Sequence, residues 1–302
     1  MNDLNDVSKN AEKLVNSDEG GFVAQTQDPP GWTGQMNPVP DHGEETYVGS
    51  GKLAGLKALI TGGDSGIGRA VAIAYAREGA DVALSYLDEE SADAEDTKAW
   101  VEKAGRACVL VPGDLRDEDV ARGVVRDAVE KLGGLDIVVN NAGAQWARRP
   151  NGLADLKTDE MDRIFKTNLY ALFWVTQEAI PHLKEGSSII NVSSIQAYDP
   201  SEALVDYAAT KAAINNFTVN MAQQVGEKGI RVNAVAPGPI WTPLQPATKE
   251  GEAMESFGAD APLGRPGQPS ELAGAFVFLA SPRDASYVSG TVIGVTGGKP
   301  VF

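Results

Sequence analysis

Three residues carry the densest chemistry in this chain: Ser194, Tyr207 and Lys211. Tyr207 and Lys211 are four residues apart, so on a helix they share one face. A phenol titrates near pH ~10 and is a poor proton donor or acceptor at neutrality. A nearby ammonium favours the phenolate and lowers that value. Moving it by two to three units requires about 3–4 kcal/mol of differential interaction, within reach of one close, partly desolvated lysine plus a second cation. Ser194 ends an apolar run, where its hydroxyl could hold a substrate carbonyl oxygen. The same tyrosine–lysine spacing also fits a half-buried Tyr beside a solvated Lys. Taken alone the triplet leaves both readings open, and the upstream elements decide between them.

Those elements are legible from periodicity. Ile189-Ile190-Asn191-Val192 reads as a buried strand running into Ser194. Tyr207 to Val225 reads as an Ala-rich helix. Far upstream, Lys57 to Ile60 reads as a strand and Arg69 to Arg77 as a helix. Between them lies Thr61-Gly62-Gly63-Asp64-Ser65-Gly66-Ile67-Gly68. Strand, glycine-rich turn and helix form the context a dinucleotide site needs. Gly62 and Gly66 permit a tight turn and close approach of backbone to a pyrophosphate, while Gly68 lets helix and strand pack closely. The helix start offers free N–H groups to phosphates.

The alternation continues. Strands are predicted at 81–86, 107–111, 136–140, 188–192, 231–236 and 291–295, and helices at 91–104, 118–132, 158–183, 206–227 and 270–279. Seven strand-like runs alternating with helices predict an α/β fold, a doubly wound parallel sheet of Rossmann type in one domain over 51–302.

Composition narrows the function. The chain has 302 residues and a net charge of −16, which argues against nucleic acid and against an anionic membrane surface. One cysteine, Cys108, excludes an intrachain disulfide and fits a reducing cytoplasm. With only His42 and His182, no Cys/His metal cluster is expected. No apolar run approaches a ~20-residue membrane span, and the polar, acidic start does not read as a signal peptide.

Residues 1–50 are different: rich in Pro and Gly, without apolar periodicity. They read as an extended arm with a disordered start. Phe22, Trp32, Met36 and Tyr47 are costly to leave in water, so the arm is expected to pack on its own domain or on a neighbouring subunit. A lid is expected near 243–261, outside the sheet pattern and flanked by Pro and Gly.

With these motifs in place, the sequence resembles the short-chain dehydrogenase/reductase family over Leu53 to Gly298. The resemblance rests on Thr-Gly-x-x-x-Gly-Ile-Gly at 61–68, Gly-Asp-Leu at 113–115, Asn-Asn-Ala-Gly at 140–143, Asn168, Ser194, Tyr-x-x-x-Lys at 207–211 and Pro-Gly at 237–238. It implies that Tyr207 is the general acid/base, that Lys211 lowers its pKa and binds the nicotinamide ribose, and that Ser194 orients the carbonyl or hydroxyl. It implies that Asn168 positions a water continuing the proton path. The cofactor, NAD(H) or NADP(H), would lie along Gly62, Asp64, Ser65, Gly66, Ile67, Gly68, Tyr86 and Leu87. Asp114 and Leu115 would line its adenine site, Asn141, Ala142 and Gly143 would run beside it, and Pro237, Gly238, Ile240 and Thr242 would cover the nicotinamide. The arm, Ser194 to Tyr198 and Ala236 to Thr242 resemble a bacterial subgroup with an N-terminal extension. Its members are described as aldehyde reductases, stress-associated oxidoreductases or relatives of glucose and ribitol dehydrogenases.

An acid at position 86 would bond an NAD ribose, and an arginine at 87, or just before Gly66, would favour NADP. Neither is present. Asp88, Glu89 and Glu90 lean towards NAD and fit equally the solvated start of a helix. Gln145, Gln196 and Arg148 are expected as polar substrate contacts, and Trp146, Tyr198, Trp241 and Phe257 as apolar walls. Ordinary packing of these aromatics is the competing reading. The expected activity is hydride transfer between the dinucleotide and a small aldehyde, ketone or sugar-like polyol. The alternative is a non-catalytic dinucleotide-binding redox sensor or stress protein. A homotetramer is expected, with the arm among the subunit contacts and with apolar excess at 168–176 and 276–279.

Overall fold

A computed structural model describes residues 22–302; the expected disordered start of the arm lies outside them. Seven strands form one all-parallel sheet: β1 (Lys57–Thr61), β2 (Asp81–Tyr86), β3 (Cys108–Pro112), β4 (Ile137–Asn140), β5 (Ser188–Val192), β6 (Arg231–Pro237) and β7 (Val292–Val295), in the order β3-β2-β1-β4-β5-β6-β7. The chain winds outward from β1 in one direction, then returns to β4 and winds the other way. That reversal opens a crevice at the carboxyl ends of β1 and β4, where a sheet of this topology binds its ligand.

The strands are mostly apolar in consecutive residues because both faces are covered. Ala58 and Ile60 face one core layer while Leu59 faces the other. Val139 and Val138 divide in the same way, as do Ile190 and Ile189. Register keeps each layer continuous: Leu59 sits opposite Ala83 and Val138, and Val138 opposite Ile189.

The helices are α1 (Gly66–Arg77), α2 (Ser91–Lys103), α3 (Glu118–Leu132), α4 (Thr158–Phe165), α5 (Ala171–Ala179), α6 (Val205–Val225), α7 (Leu244–Thr248) and α8 (Ser270–Ala280). The single helix expected over 158–183 is interrupted. A π-helical turn, Lys166–Tyr170, separates α4 from α5, and a tight 3₁₀ turn, Ile180–His182, ends the run at Pro181. Proline lacks the N–H that would continue the ladder. The π turn's extra residue carries Asn168 into the interior, where it is buried.

The apolar excess at 276–279 has an internal use. Phe276, Val277 and Leu279 are buried in the chain's own core, where the Tyr75 hydroxyl donates to the Phe276 carbonyl (3.2 Å). It therefore gives no reason for a subunit contact. At 168–176 the excess divides: Ala171, Leu172 and Val175 are buried, while Tyr170 and Phe173 are 46% and 48% exposed.

The described arm packs on its own chain. Phe22 stacks on Trp241 at 4.1 Å, Phe257 adds a tilted ring at 6.0 Å, and Met36 and Met254 complete the cluster. Burying a side chain of this size is worth about 1.5–3 kcal/mol. Further along, Glu78 accepts from the Tyr47 hydroxyl (2.8 Å) and from the N–H groups of Ser50 and Lys52 (2.9 Å each). Arg77 donates to the carbonyls of Gly43, Glu44 and Tyr47.

Candidate active site

The crevice is a cleft of about 300 Å³. Its floor is the turn after β1. Gly62 and Gly66 have φ of +61° and +51°, a region that favours glycine. A Cβ on Gly62 would lie 3.1 Å from Ala142 Cα, and one on Gly66 3.2 Å from Thr242 Cγ2. Gly68 works behind the cleft: its Cβ would fall 1.8 Å from the Gly62 carbonyl oxygen, so only glycine lets α1 start this close to β1. The start of α1 points its unbonded N–H groups into the cleft. A cradle that Cβ atoms would fill, facing a helix start, fits a dinucleotide pyrophosphate.

All the expected cofactor residues except Gly68 line this cleft, from Gly62, Asp64, Ser65, Gly66 and Ile67 through Tyr86, Leu87, Asp114, Leu115, Asn141, Ala142 and Gly143 to Pro237, Gly238, Ile240 and Thr242. The turn after β4 is tied to the glycine loop: Asn141 Nδ2 donates to the carbonyls of Thr61 (3.0 Å) and Gly62 (2.8 Å). The Asp114 carboxylate is held by the Arg116 guanidinium, with its Nε at 2.9 Å from each oxygen, and that pairing lowers the Asp114 pKa.

Ser194, Tyr207 and Lys211 meet at one wall. Positions 207, 211, 214, 218, 221 and 225 of α6 are all buried, a continuous inward stripe that fixes which way Tyr207 and Lys211 point. Lys211 Nζ donates to the Val192 carbonyl (2.8 Å) and lies 5.3 Å from the centre of the Tyr207 ring. Burial pulls the Lys211 pKa down to about 7. Burial also pushes Tyr207 up to about 12, against a smaller lowering by its hydrogen bond to Ser194. Of these two influences desolvation is the larger, since burial disfavours the phenolate.

Asn168 stands behind this wall. Its Oδ1 accepts from Ala144 N–H (2.7 Å), and its Nδ2 donates to the Ala144 carbonyl (2.9 Å) and to Thr210 Oγ1 (3.1 Å). Thr210 in turn donates to the Tyr207 carbonyl (2.7 Å). Asn168 therefore locks the loop after β4 to the turn of α6 that carries Tyr207.

The expected substrate residues separate. Gln145 lines the cleft, its amide donating to Thr248 Oγ1 (3.0 Å). Gln196 does not, and its Oε1 accepts from Ser201 N–H (2.7 Å). Trp241 is wholly buried, with its Nε1 donating to the Pro38 carbonyl (2.8 Å), so it supports the arm and forms no cleft wall. Phe257 shares that cluster and Tyr198 does not line the cleft, which leaves Trp146 of the four expected aromatic walls.

Sequence reasoning grouped Glu90 with the acids that lean towards NAD, and it missed other neighbours. Glu90 reaches the cleft as its Oε2 caps Leu87 N–H (3.1 Å); burial first, then the charge of Asp64, pushes its pKa up. Arg149 holds Asp206, the residue before Tyr207, through two buried bonds of 2.7 and 3.0 Å. Pro29 and Pro30 of the arm also line the cleft. Nothing in the residue order signals a contact this distant.

Comparison with known proteins agrees with this geometry. A family model described as enoyl-(acyl carrier protein) reductase matches residues 62–299. An Escherichia coli protein described as uncharacterized oxidoreductase YghA is 57% identical over 281 residues, 93% of this chain and 95% of that one. NADPH-dependent aldehyde reductase 1, chloroplastic, of Arabidopsis thaliana is 42% identical over 277 residues, 90% of this chain and 96% of its own. Among solved structures, a short chain dehydrogenase from Burkholderia cenocepacia in complex with NADP is 35% identical, with a TM-score of 0.74 over 82% of this chain and 99% of that one.

Proposed function

The chain belongs to the short-chain dehydrogenase/reductase family, an NAD(P)-dependent oxidoreductase line, and from that premise we propose that it interconverts a small aldehyde, ketone or sugar-like carbonyl and its alcohol, with Tyr207 as the general acid/base. The observation that carries this reading is the meeting of Ser194, Tyr207 and Lys211 on the wall of the cleft that holds the glycine cradle.

When bound, the nicotinamide supplies or takes the hydride and, in its oxidised form, adds a positive charge beside the phenol. In reduction, the Ser194 hydroxyl donates a hydrogen bond to the carbonyl oxygen and the Tyr207 phenol delivers the proton to it. In oxidation the proton moves back from the alcohol to Tyr207. Lys211, held at the Val192 carbonyl, holds the ribose and favours the phenolate as the site charges. Asn168 fixes the loop at Ala144 and continues the proton route from Lys211 through a water. Gln145 and Trp146 contact the substrate, beneath a lid formed by 243–261.

The unit is a cytoplasmic homotetramer. Tyr170 at the end of the π turn, Phe173 on α5 and Val219 on α6 are exposed apolar side chains, and Phe173 packs on Phe217 at 4.5 Å. Symmetric pairing is the usual way such side chains leave water.

A panel of small aldehydes, ketones and polyols, followed by nicotinamide absorbance with both cofactors, tests the reading. Turnover of a panel member is expected. Tight cofactor binding with no turnover across the panel would favour the non-catalytic sensor.

A further inference from the structure

We propose that the N-terminal arm is part of the cofactor site: residues 27–33 form a strap across the mouth of the cleft, and Pro29 and Pro30 at its tip hold the dinucleotide in. This rests on the reading of the cleft as a nicotinamide dinucleotide site.

The strap is built, not merely adjacent. The Gln27 side chain closes it on itself: Oε1 accepts from Trp32 N–H (2.6 Å) and Nε2 donates to the Trp32 carbonyl (3.3 Å). That closure leaves Pro29 and Pro30 at the tip, and both line the cleft. Proline fixes its own backbone angle and donates no hydrogen bond, so the tip offers a stiff apolar wall.

The strap is anchored to two elements of the domain. On the lid side, Gln27 N–H donates to the Pro246 carbonyl (3.0 Å). Gly31, at φ +89°, seats so close to Pro243 that a Cβ would lie 2.8 Å from the Pro243 carbonyl oxygen. Pro243 itself approaches Gly66: a Cβ there would be 3.9 Å from Pro243 Cδ. The order Gly31, Pro243, Gly66 stacks the strap over the lid and the lid over the pyrophosphate cradle. At its other end, Thr33 N–H donates to Asp93 Oδ2 (2.9 Å), near the start of α2. The strap is therefore tied to both the lid and α2, with its tip at the cleft. A bound dinucleotide leaves by displacing it, and the strap governs the release rate.

The test is stopped-flow displacement of NADH and of NADPH from the full chain, read by nicotinamide fluorescence, beside the melting temperature of the cofactor-free protein. Two variants are compared with the wild type: Pro29→Gly/Pro30→Gly, which softens the tip, and Gln27→Ala, which opens the closure and keeps both prolines. Release at least about tenfold faster is expected, the usual place where binding changes appear. Cofactor-free melting within about 2 °C of wild type would separate this from lost stability. Should the proline variant not fold, Gln27→Ala decides alone. Wild-type release rates in a folded variant overturn the strap while leaving the cleft's assignment standing. A wild type that binds neither cofactor overturns both.

Discussion

In the proposed reaction Tyr207 carries the proton, and its surroundings make the expected behaviour specific. Tyr207→Phe removes the proton but not the ring's packing, so kcat should fall by at least ~10²-fold while cofactor affinity changes little. A variant retaining more than about a tenth of wild-type activity would remove Tyr207 from the proton transfer. Lys211 supplies a pH signature. The native lysine releases its proton near pH 7, whereas its ordinary value is 10.5. Between these limits the unfolded chain binds the extra proton, so the cost of burying Lys211 shrinks as pH rises from about 7 towards 10.5. Denaturant unfolding of the cofactor-free protein should show wild type gaining stability relative to Lys211→Met across that window. A gap independent of pH would mean that burial does not depress this lysine. At the adenosine end, Leu87→Arg should strengthen NADP binding by about 1.5–3 kcal/mol through a charge-assisted contact to the 2′-phosphate. Titration that finds no gain would show that position 87 does not face that phosphate.

At the scale of elements, the catalytic wall depends on two backbone devices. One is the close start of α1 on β1. Gly68→Ala would drive a methyl into the Gly62 carbonyl, 1.8 Å away. The helix must shift, which should cost about 1–3 kcal/mol and weaken cofactor binding at the same time. A calorimetric melt and a binding titration on the same preparation check the pair of effects; loss of neither would mean that helix and strand are less tightly apposed. The other device is the π turn, whose extra residue turns Asn168 inward to clamp Ala144. The sequence shows an unbroken helical pattern there, because the run at 168–176 is apolar on several faces and hides the shift of phase that one extra residue makes. The pull of Asn168 on Ala144 and Thr210 becomes visible only when the loop after β4, the π turn and α6 are brought together.

On the scale of the whole molecule, the arm is expected to support the domain it wraps. Deleting residues 1–48 removes Phe22 and Met36 from the cluster around Trp241, as well as the anchor at Glu78 through Tyr47. The melting temperature should fall by several degrees, since each lost kcal/mol shifts a domain of this size by about 2–4 °C. Light scattering on the same protein separates this from assembly. The truncated chain should keep the oligomeric state of the full chain, because the exposed apolar side chains Tyr170, Phe173 and Val219 lie outside the arm and the arm's Phe22 and Met36 are turned inward on their own chain. A truncated chain that falls to a smaller species with an unchanged melting temperature would assign the arm to the subunit contacts instead.

What the residues determined alone is the sheet and the chemistry it displays. Alternation of apolar strands with helices is a local signal, repeated seven times, and the glycine turn, Ser194 and the Tyr207–Lys211 pair each occupy a few consecutive residues. Their meeting in one cleft follows because a doubly wound sheet brings the carboxyl ends of its strands to one edge. Tertiary structure alone decided the rest. Trp241 reads equally as a substrate wall or a core residue until Phe22, more than two hundred positions earlier, is seen stacked upon it. The 276–279 run reads as an exposed surface until Tyr75 is found against it. The prolines at 29 and 30 gain a place at the cleft only through folding. Spacing in a sequence reports which side chains share a face of one element, whereas burial and electrostatics depend on partners that only packing supplies.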